Sequence, residues 1–237
     1  MNEPQPIRPR PVLSELPAYA AGKPAAAVDG LVSYKLSSNE NPYGPVPAVR
    51  AVLAEFTDFS RYPDPLSTAL RERLGQHLDV SPQDIVTGAG SLGALTQIIT
   101  TFAGAGPDGT QDEVIYAWRS FEAYPIVVRA AGARDVQVPL TADFRHDLDA
   151  MAAAITDRTR VIILCTPNNP TGLALTGAEV EAFLAKVPQD VLVVLDEAYT
   201  EFITQPDAVD ALAVYRRYDN VVVLRTFSKA HGLANLR

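Results

Sequence analysis

Short apolar runs alternate with stretches of helical spacing along most of the chain. Val49, Val52, Leu53 and Phe56 recur at helical intervals, and a second amphipathic helix runs near Leu66 to Leu78, with Leu70 and Leu74 on one face. From residue 84 the alternation becomes regular. Strands are expected at Ile85-Val86, Glu113 to Tyr116, Val136 to Val138, Val161 to Leu164, Val191 to Leu195 and Val221 to Leu224. Helices are expected between them, at about Ser91–Phe102, Phe121–Ala130, Leu148–Ile155 and Gly177–Ala185. Thr176 and Glu179 form a capping box for the last of these. Such alternation implies an α/β fold with a mostly parallel sheet and helices on both faces.

Before this region the chain reads differently. Pro4, Pro6, Pro9, Pro11, Pro17 and Pro24 mark residues 1–30 as an extended arm. Residues 31–80 form an N-terminal helical segment, and residues 81–237 form the main α/β domain. Two turn-rich stretches interrupt the helical segment: Leu36 to Pro45, dense in side-chain amides and carboxylates, and Ser60-Arg61-Tyr62-Pro63-Asp64-Pro65. Each reads as a connector or as the border of a site.

Composition narrows the chemistry. The 237 residues are 47% hydrophobic and 20% charged, as in ordinary globular proteins. A net charge of −8 argues against nucleic acid, which needs a basic stripe. One cysteine, Cys165, cannot form an intrachain disulfide, and three scattered histidines give no metal-ligand spacing. No apolar run approaches a membrane span and no signal peptide opens the chain, so a cytoplasmic protein is expected.

Four motifs follow expected strands and should gather at one sheet edge, where ligands bind in open α/β sheets. Thr87-Gly88-Ala89-Gly90-Ser91 opens a helix; its small residues and free N–H groups suit an anion, though small residues also mark any tight turn. Thr166-Pro167-Asn168-Asn169-Pro170-Thr171-Gly172 is either a proline-fixed turn or a device that aims Asn169 at a ligand oxygen. Asp196-Glu197-Ala198-Tyr199 ends an apolar strand, and a buried carboxylate there wants a positive partner. Thr226-Phe227-Ser228-Lys229 ends the last strand, where a desolvated lysine can form a Schiff base with a carbonyl. An aldehyde-bearing cofactor needs an amine, phosphate donors and a carboxylate for its ring nitrogen. Lys229, the Gly88–Ser91 turn with Arg237, and Asp196 supply one of each, a set that describes pyridoxal phosphate.

With these motifs in this order, the chain resembles the fold-type I, pyridoxal-phosphate-dependent aminotransferases, in the branch holding histidinol-phosphate aminotransferases and actinobacterial aromatic amino acid aminotransferases. The resemblance runs from Ser38-Asn39-Glu40-Asn41-Pro42 through Arg61-Tyr62-Pro63, Asn168 to Gly172 and Asp196 to Tyr199 to the lysine stretch. Trp118-Arg119-Ser120-Phe121-Glu122-Ala123-Tyr124-Pro125 looks most like the aromatic side of the branch.

The resemblance implies that Lys229 is the Schiff-base lysine and moves the substrate Cα proton, and that Asp196 keeps the pyridine nitrogen protonated. It implies that Asn169 and Tyr199 hydrogen-bond the cofactor's phenolic oxygen and that Phe121 stacks on its ring. Ala89, Gly90, Ser91, Thr226, Ser228 and Arg237 would hold the phosphate. Tyr62 would reach the phosphate of a neighbouring subunit, which implies a homodimer with shared sites, and Asn39, with Asn169, would border the substrate. The implied reaction moves an amino group from an aromatic amino acid to 2-oxoglutarate, with histidinol phosphate as the rival donor. A lyase or decarboxylase on this fold and a non-catalytic binding domain are further rivals. A nicotinamide site is disfavoured because Gly88-Ala89-Gly90-Ser91 lacks the third glycine of that fingerprint. Members of the family continue for about a hundred residues or more beyond the lysine, into a C-terminal small domain that carries a substrate-gripping arginine. The expectation is therefore a large domain without its small domain, with little turnover of its own.

Overall fold

The computed structural model describes residues 10–14, 16 and 26–236. Five strands form one sheet: β1 (Glu113–Trp118), β2 (Arg134–Pro139), β3 (Thr159–Cys165), β4 (Leu192–Asp196) and β5 (Val221–Leu224), in the order β2-β1-β3-β4-β5. Every pairing is parallel. Seven α-helices accompany them: α1 (Pro47–Glu55), α2 (Thr68–Leu78), α3 (Gly90–Phe102), α4 (Tyr124–Ala131), α5 (Leu148–Ala153), α6 (Gly177–Leu184) and α7 (Ala211–Tyr215).

Period-two alternation within the central strands feeds two cores. Ile115, Ala117, Ile162, Leu164, Val193 and Leu195 face one side, against Met151 of α5, Val180 and Phe183 of α6 and Val214 of α7. Val114, Tyr116, Val161, Ile163, Cys165 and Val194 face the other, against Leu95 and Ile99 of α3 and Tyr124 and Val128 of α4. A sheet covered on both faces needs near-continuous apolar strands, which is what the sequence offers at β1, β3 and β4. Both sides are thereby dry, and the polar work is left to the strand ends.

The local signals mostly hold. The Thr176 hydroxyl accepts from the Glu179 N–H at 3.1 Å while the Glu179 carboxylate accepts from the Thr176 N–H at 2.7 Å, completing the capping box of α6. Helix α4 starts at Tyr124, later than its apolar spacing suggests, because Pro125 occupies the first turn, where its missing N–H costs nothing. Ile85-Val86 is a correction. The pair is extended but pairs with no strand among the described residues, and Val86 is 72% exposed. Two β-branched residues favour extended backbone, yet without a hydrogen-bonded neighbour they make no ladder.

Of the N-terminal arm, Pro4, Pro6, Pro9, Pro17 and Pro24 lie outside the described residues. Pro11–Ser14 forms a 3-10 turn beside α4, and Arg10 Nη1 donates to the Ala130 carbonyl at 2.9 Å. Among the described residues no helix is long and apolar enough to cross a membrane.

Candidate functional site

All five strands are parallel, so the loops after β1, β3, β4 and β5 emerge at the same edge of the sheet. Those loops carry Phe121, Asn169, Tyr199 and the Thr226–Lys229 stretch, with Asp196 as the last residue of β4. The N-terminus of α3, with Ala89, Gly90 and Ser91, comes to this edge from the helix layer, and α3 lies over β3 and β5.

A cavity of about 440 Å³ opens here. Its wall includes Asn39, Tyr43, Tyr199, Phe202 and Lys229. Three of the candidate residues therefore meet in one space. The Lys229 ammonium lies 5.5 Å from the centre of the Tyr199 ring and donates to the Ser38 carbonyl at 3.4 Å. The Tyr199 hydroxyl accepts from Asn39 Nδ2 at 3.0 Å. Burial raises the Tyr199 phenol above its ordinary range, while the Asn39 donor works against that shift.

The lysine loop is held from behind. Asn41 Nδ2 donates to the Ala230 carbonyl at 2.7 Å. Gly232, in the left-handed region at φ +69°, sits so close to Gly44 that an added Cβ would lie 2.6 Å from the Gly44 carbonyl carbon. The amide-rich stretch at residues 38–45 is thus both a wall of the cavity and the clamp on the lysine loop, a double use that neither segment reveals alone.

Asp196 is 4% exposed. Its Oδ2 accepts from the Tyr124 hydroxyl at 2.6 Å and its Oδ1 from the Ala198 N–H at 3.2 Å. Burial raises its carboxyl above the ordinary carboxylate range, and the two donors pull it partway back. The positive partner expected from the sequence is not what these contacts supply: both donors are neutral, so the charge itself still wants compensation. Glu197, its neighbour, points elsewhere and is paired with Arg225 at 2.7 Å. Cys165 is buried and its thiol is pushed up to about 12, so it stays protonated and is no nucleophile.

The remaining candidates surround these two points. The Phe121 ring meets Tyr124 edge to face, 5.6 Å between centroids. Asn169 is half-buried after β3, while its neighbour Asn168 is the fixed one: Asn168 Oδ1 accepts from Ser120 Oγ at 2.7 Å, and Nδ2 donates to the Arg119 carbonyl at 3.2 Å and to Thr171 Oγ1 at 3.1 Å. Asn168 so ties the Phe121 loop to the Asn169 loop, a role no local pattern announces. Thr226 Oγ1 accepts from the Ser228 N–H at 3.1 Å, which folds the two hydroxyls into one turn. Ala89 caps α3 without a side-chain hydrogen bond, so the first-turn N–H groups are left to another acceptor. Tyr62 is 101% exposed and joins none of these contacts. Arg237 lies outside the described residues.

Gly88 makes the turn into α3 possible. A Cβ there would lie 2.6 Å from the Ala94 backbone nitrogen. Gly88→Ala is expected to lower stability by about 1–3 kcal/mol, because backbone rather than a flexible side chain must move; urea unfolding measures this. An unchanged midpoint would show that the turn relaxes freely.

Known proteins align with this arrangement. Aromatic amino acid aminotransferases from Streptomyces avermitilis and Streptomyces coelicolor are 56% and 57% identical to the chain over 229 residues, which is 96% of it. The chain spans 62% of the length of these curated relatives. Among solved structures, histidinol-phosphate aminotransferase from Sinorhizobium meliloti, in complex with pyridoxal-5'-phosphate, is similar with a TM-score of 0.78 and 30% identity, covering 97% of this chain and 61% of that one. A sequence model described as aminotransferase class I and II matches residues 33–237. With lysine, carboxylate and anion-binding turn gathered at one sheet edge and that match across most of its length, the chain belongs to the class I and II aminotransferases.

Proposed function

We propose that the chain contributes the cofactor-binding part of an aminotransferase that uses pyridoxal 5'-phosphate to move an amino group from an aromatic amino acid to 2-oxoglutarate. The observation that carries this reading is the pairing of Lys229 on the cavity wall with a buried Asp196 carboxylate at the end of β4. The fit to the group is chemical. Asp196 is a buried anion whose contacts are neutral donors, so a protonated ring nitrogen completes it. The uncapped start of α3 offers N–H groups to a phosphate, joined by the Thr226 and Ser228 hydroxyls.

When bound, the group supplies an electron sink for charge left at the substrate Cα. The chain's residues do the rest. The Lys229 amine takes the proton from Cα and returns it one carbon away. Asp196 keeps a proton on the ring nitrogen. The Tyr199 hydroxyl and the Asn169 amide orient the ring through its phenolic oxygen. Phe121 covers one ring face, and Ala89, Gly90 and Ser91 bind the phosphate, with Arg237 assigned there by its sequence position. Asn39 and Asn169 border the substrate. The division into an arm, a helical segment to residue 80 and a cofactor domain follows the same reading. So do a cytoplasmic location and a homodimer, for which the exposed ring of Tyr62 is suited.

The donor is read as aromatic because the curated relatives at 56% and 57% identity carry that name. Histidinol phosphate stands as the second reading, on the likeness to the Sinorhizobium meliloti structure. The test is a donor panel. The protein is loaded with pyridoxal phosphate, and the loss of its visible absorbance is followed with phenylalanine, tyrosine, tryptophan or histidinol phosphate. Conversion by the aromatic amino acids is expected to exceed that by histidinol phosphate at least about tenfold in kcat/KM, roughly 1.4 kcal/mol of discrimination. The reverse order installs the second reading. A folded protein that takes up no cofactor removes both.

A further inference from the structure

Tyr124 has no role in the assignments above, yet it is among the most enclosed side chains of the protein, at 0% exposure. Its ring is packed edge to face between Tyr116, 5.5 Å away, and Phe121, 5.6 Å away. Its hydroxyl ends 2.6 Å from Asp196 Oδ2. A phenol has one proton to donate, and here it goes to the carboxylate. The other carboxylate oxygen is taken by the Ala198 N–H. Two donors on two oxygens fix the orientation of the Asp196 side chain and leave its remaining lone pairs facing the sheet edge.

We propose that Tyr124 is a positioning residue for the cofactor's ring: through its hydroxyl it sets the orientation and charge of Asp196, and through its ring it sets Phe121. The inference deepens the cofactor reading and, for its consequence in binding, rests on it. A buried tyrosine needs an acceptor for its hydroxyl in any fold, so burial alone argues nothing. What argues for the role is where the acceptor is. Tyr124 reaches across 72 residues of sequence to the one buried carboxylate at the end of β4, and it touches the aromatic ring assigned to the other side of the same ligand. The groups facing Asp196 from the packed elements are Tyr124 of α4, Cys165 of β3 and Tyr199 beyond β4, and none of these carries a positive charge. With burial working against ionisation, the Tyr124 hydroxyl is the first-ranked contact that favours the charged carboxylate.

The test measures the carboxyl directly. The 237-residue chain, labelled with 13C at aspartate side chains, is titrated without cofactor, and the Asp196 signal is assigned by its loss in Asp196→Asn. Tyr124→Phe is expected to raise the Asp196 midpoint by about one pH unit, since a donor to the charged form is gone. A 2,3-difluorotyrosine at position 124 keeps the packing and donates more strongly, so it is expected to lower the midpoint. Should Tyr124→Phe fold poorly, the fluorinated chain still decides. Opposite shifts are not what a merely space-filling residue gives; a midpoint that stays put in the folded variant chains overturns the proposal. Titration of pyridoxal phosphate against pH is the second readout. Tyr124→Phe is expected to bind it about tenfold more weakly than the unaltered chain at mildly acidic pH, with the gap closing as pH rises and Asp196 ionises again. Equal weakening at every pH overturns the positioning role. If the carboxyl shifts as stated but the unaltered chain, folded, binds no cofactor, the cofactor reading fails while the control of Asp196 by Tyr124 stands.

Discussion

Lys229→Ala abolishes attachment of pyridoxal phosphate through borohydride-stable bonds. The unaltered protein, treated with cofactor and then borohydride, is expected to carry the added mass on the peptide containing Lys229. The alanine variant carries none there. The reason is chemical: the amine is the nucleophile that a carbonyl requires, and a neighbouring arginine or histidine cannot replace it. The same amine is the proposed proton carrier at the substrate Cα, so conversion of the loaded form by phenylalanine is expected to slow by about 10⁴-fold, the upper end for a positioned acid–base group. Mass spectrometry of the trapped peptide and single-turnover absorbance measure the two effects separately. Trapping at another lysine in the unaltered protein, with Lys229 unmodified, would overturn the assignment. The fold is expected to survive the change, since the Lys229 side chain is half-buried on a cavity wall rather than packed in either core.

Asp196→Asn is expected to move binding and stability in opposite directions. Cofactor affinity falls roughly 10- to 100-fold, the worth of one charge-assisted hydrogen bond. The cofactor-free protein gains stability, by about 1 kcal/mol or more, because a buried charge without a cationic partner has been removed and an amide of the same shape still accepts the Tyr124 hydroxyl. The direction follows from titration. The carboxyl's reference value is 3.8, and burial raises it in the folded state. Between those two values the folded protein holds a proton that the unfolded chain has lost, so this group's contribution becomes less favourable as pH rises through that window. At neutral pH the penalty is fully present, and the amide removes it. Denaturant midpoints at pH 7 and near pH 4 check this: the gain is expected at pH 7 and is expected to shrink toward pH 4. A loss of stability at pH 7 would mean that the carboxylate is better compensated than its two neutral donors suggest.

The fold was legible wherever burial was two-sided. Strands β1, β3 and β4 are continuous apolar runs because both faces are covered, and such runs are hard to miss. The outer strand β2 was seen only at its middle. It includes Arg134, Asp135 and Gln137 and shows a mostly exposed edge. Helix α7, five residues long, is too short to display a period. Ile85-Val86 had the composition of a strand without the partner that makes one.

In the site, Lys229, Asp196 and Tyr199 were legible because each follows an apolar strand, where a polar residue stands out. Tyr124 was not, because its meaning lies in a hydrogen bond to a residue 72 positions away. Asn41 was visible only as one polar residue among several, and its contact with Ala230 spans 189 positions. Local pattern reports where chemistry can sit; long-range contact decides which neighbour holds it.

The alternation along β4 has a bearing on how such a protein can change over generations. Val193 and Leu195 face one core, Val194 the other, and Asp196 shares the face of Val194, toward Tyr124. A single inserted or deleted codon within Leu192–Asp196 would turn the carboxylate to the opposite side, among Val180 and Phe183, and bring an aliphatic residue to the ligand. Substitutions at these positions can be explored one at a time, but changes of length cannot. Lineages descended from this sequence are therefore expected to vary in length in the surface loop at residues 106–110 and to keep the residue count of β4 unchanged.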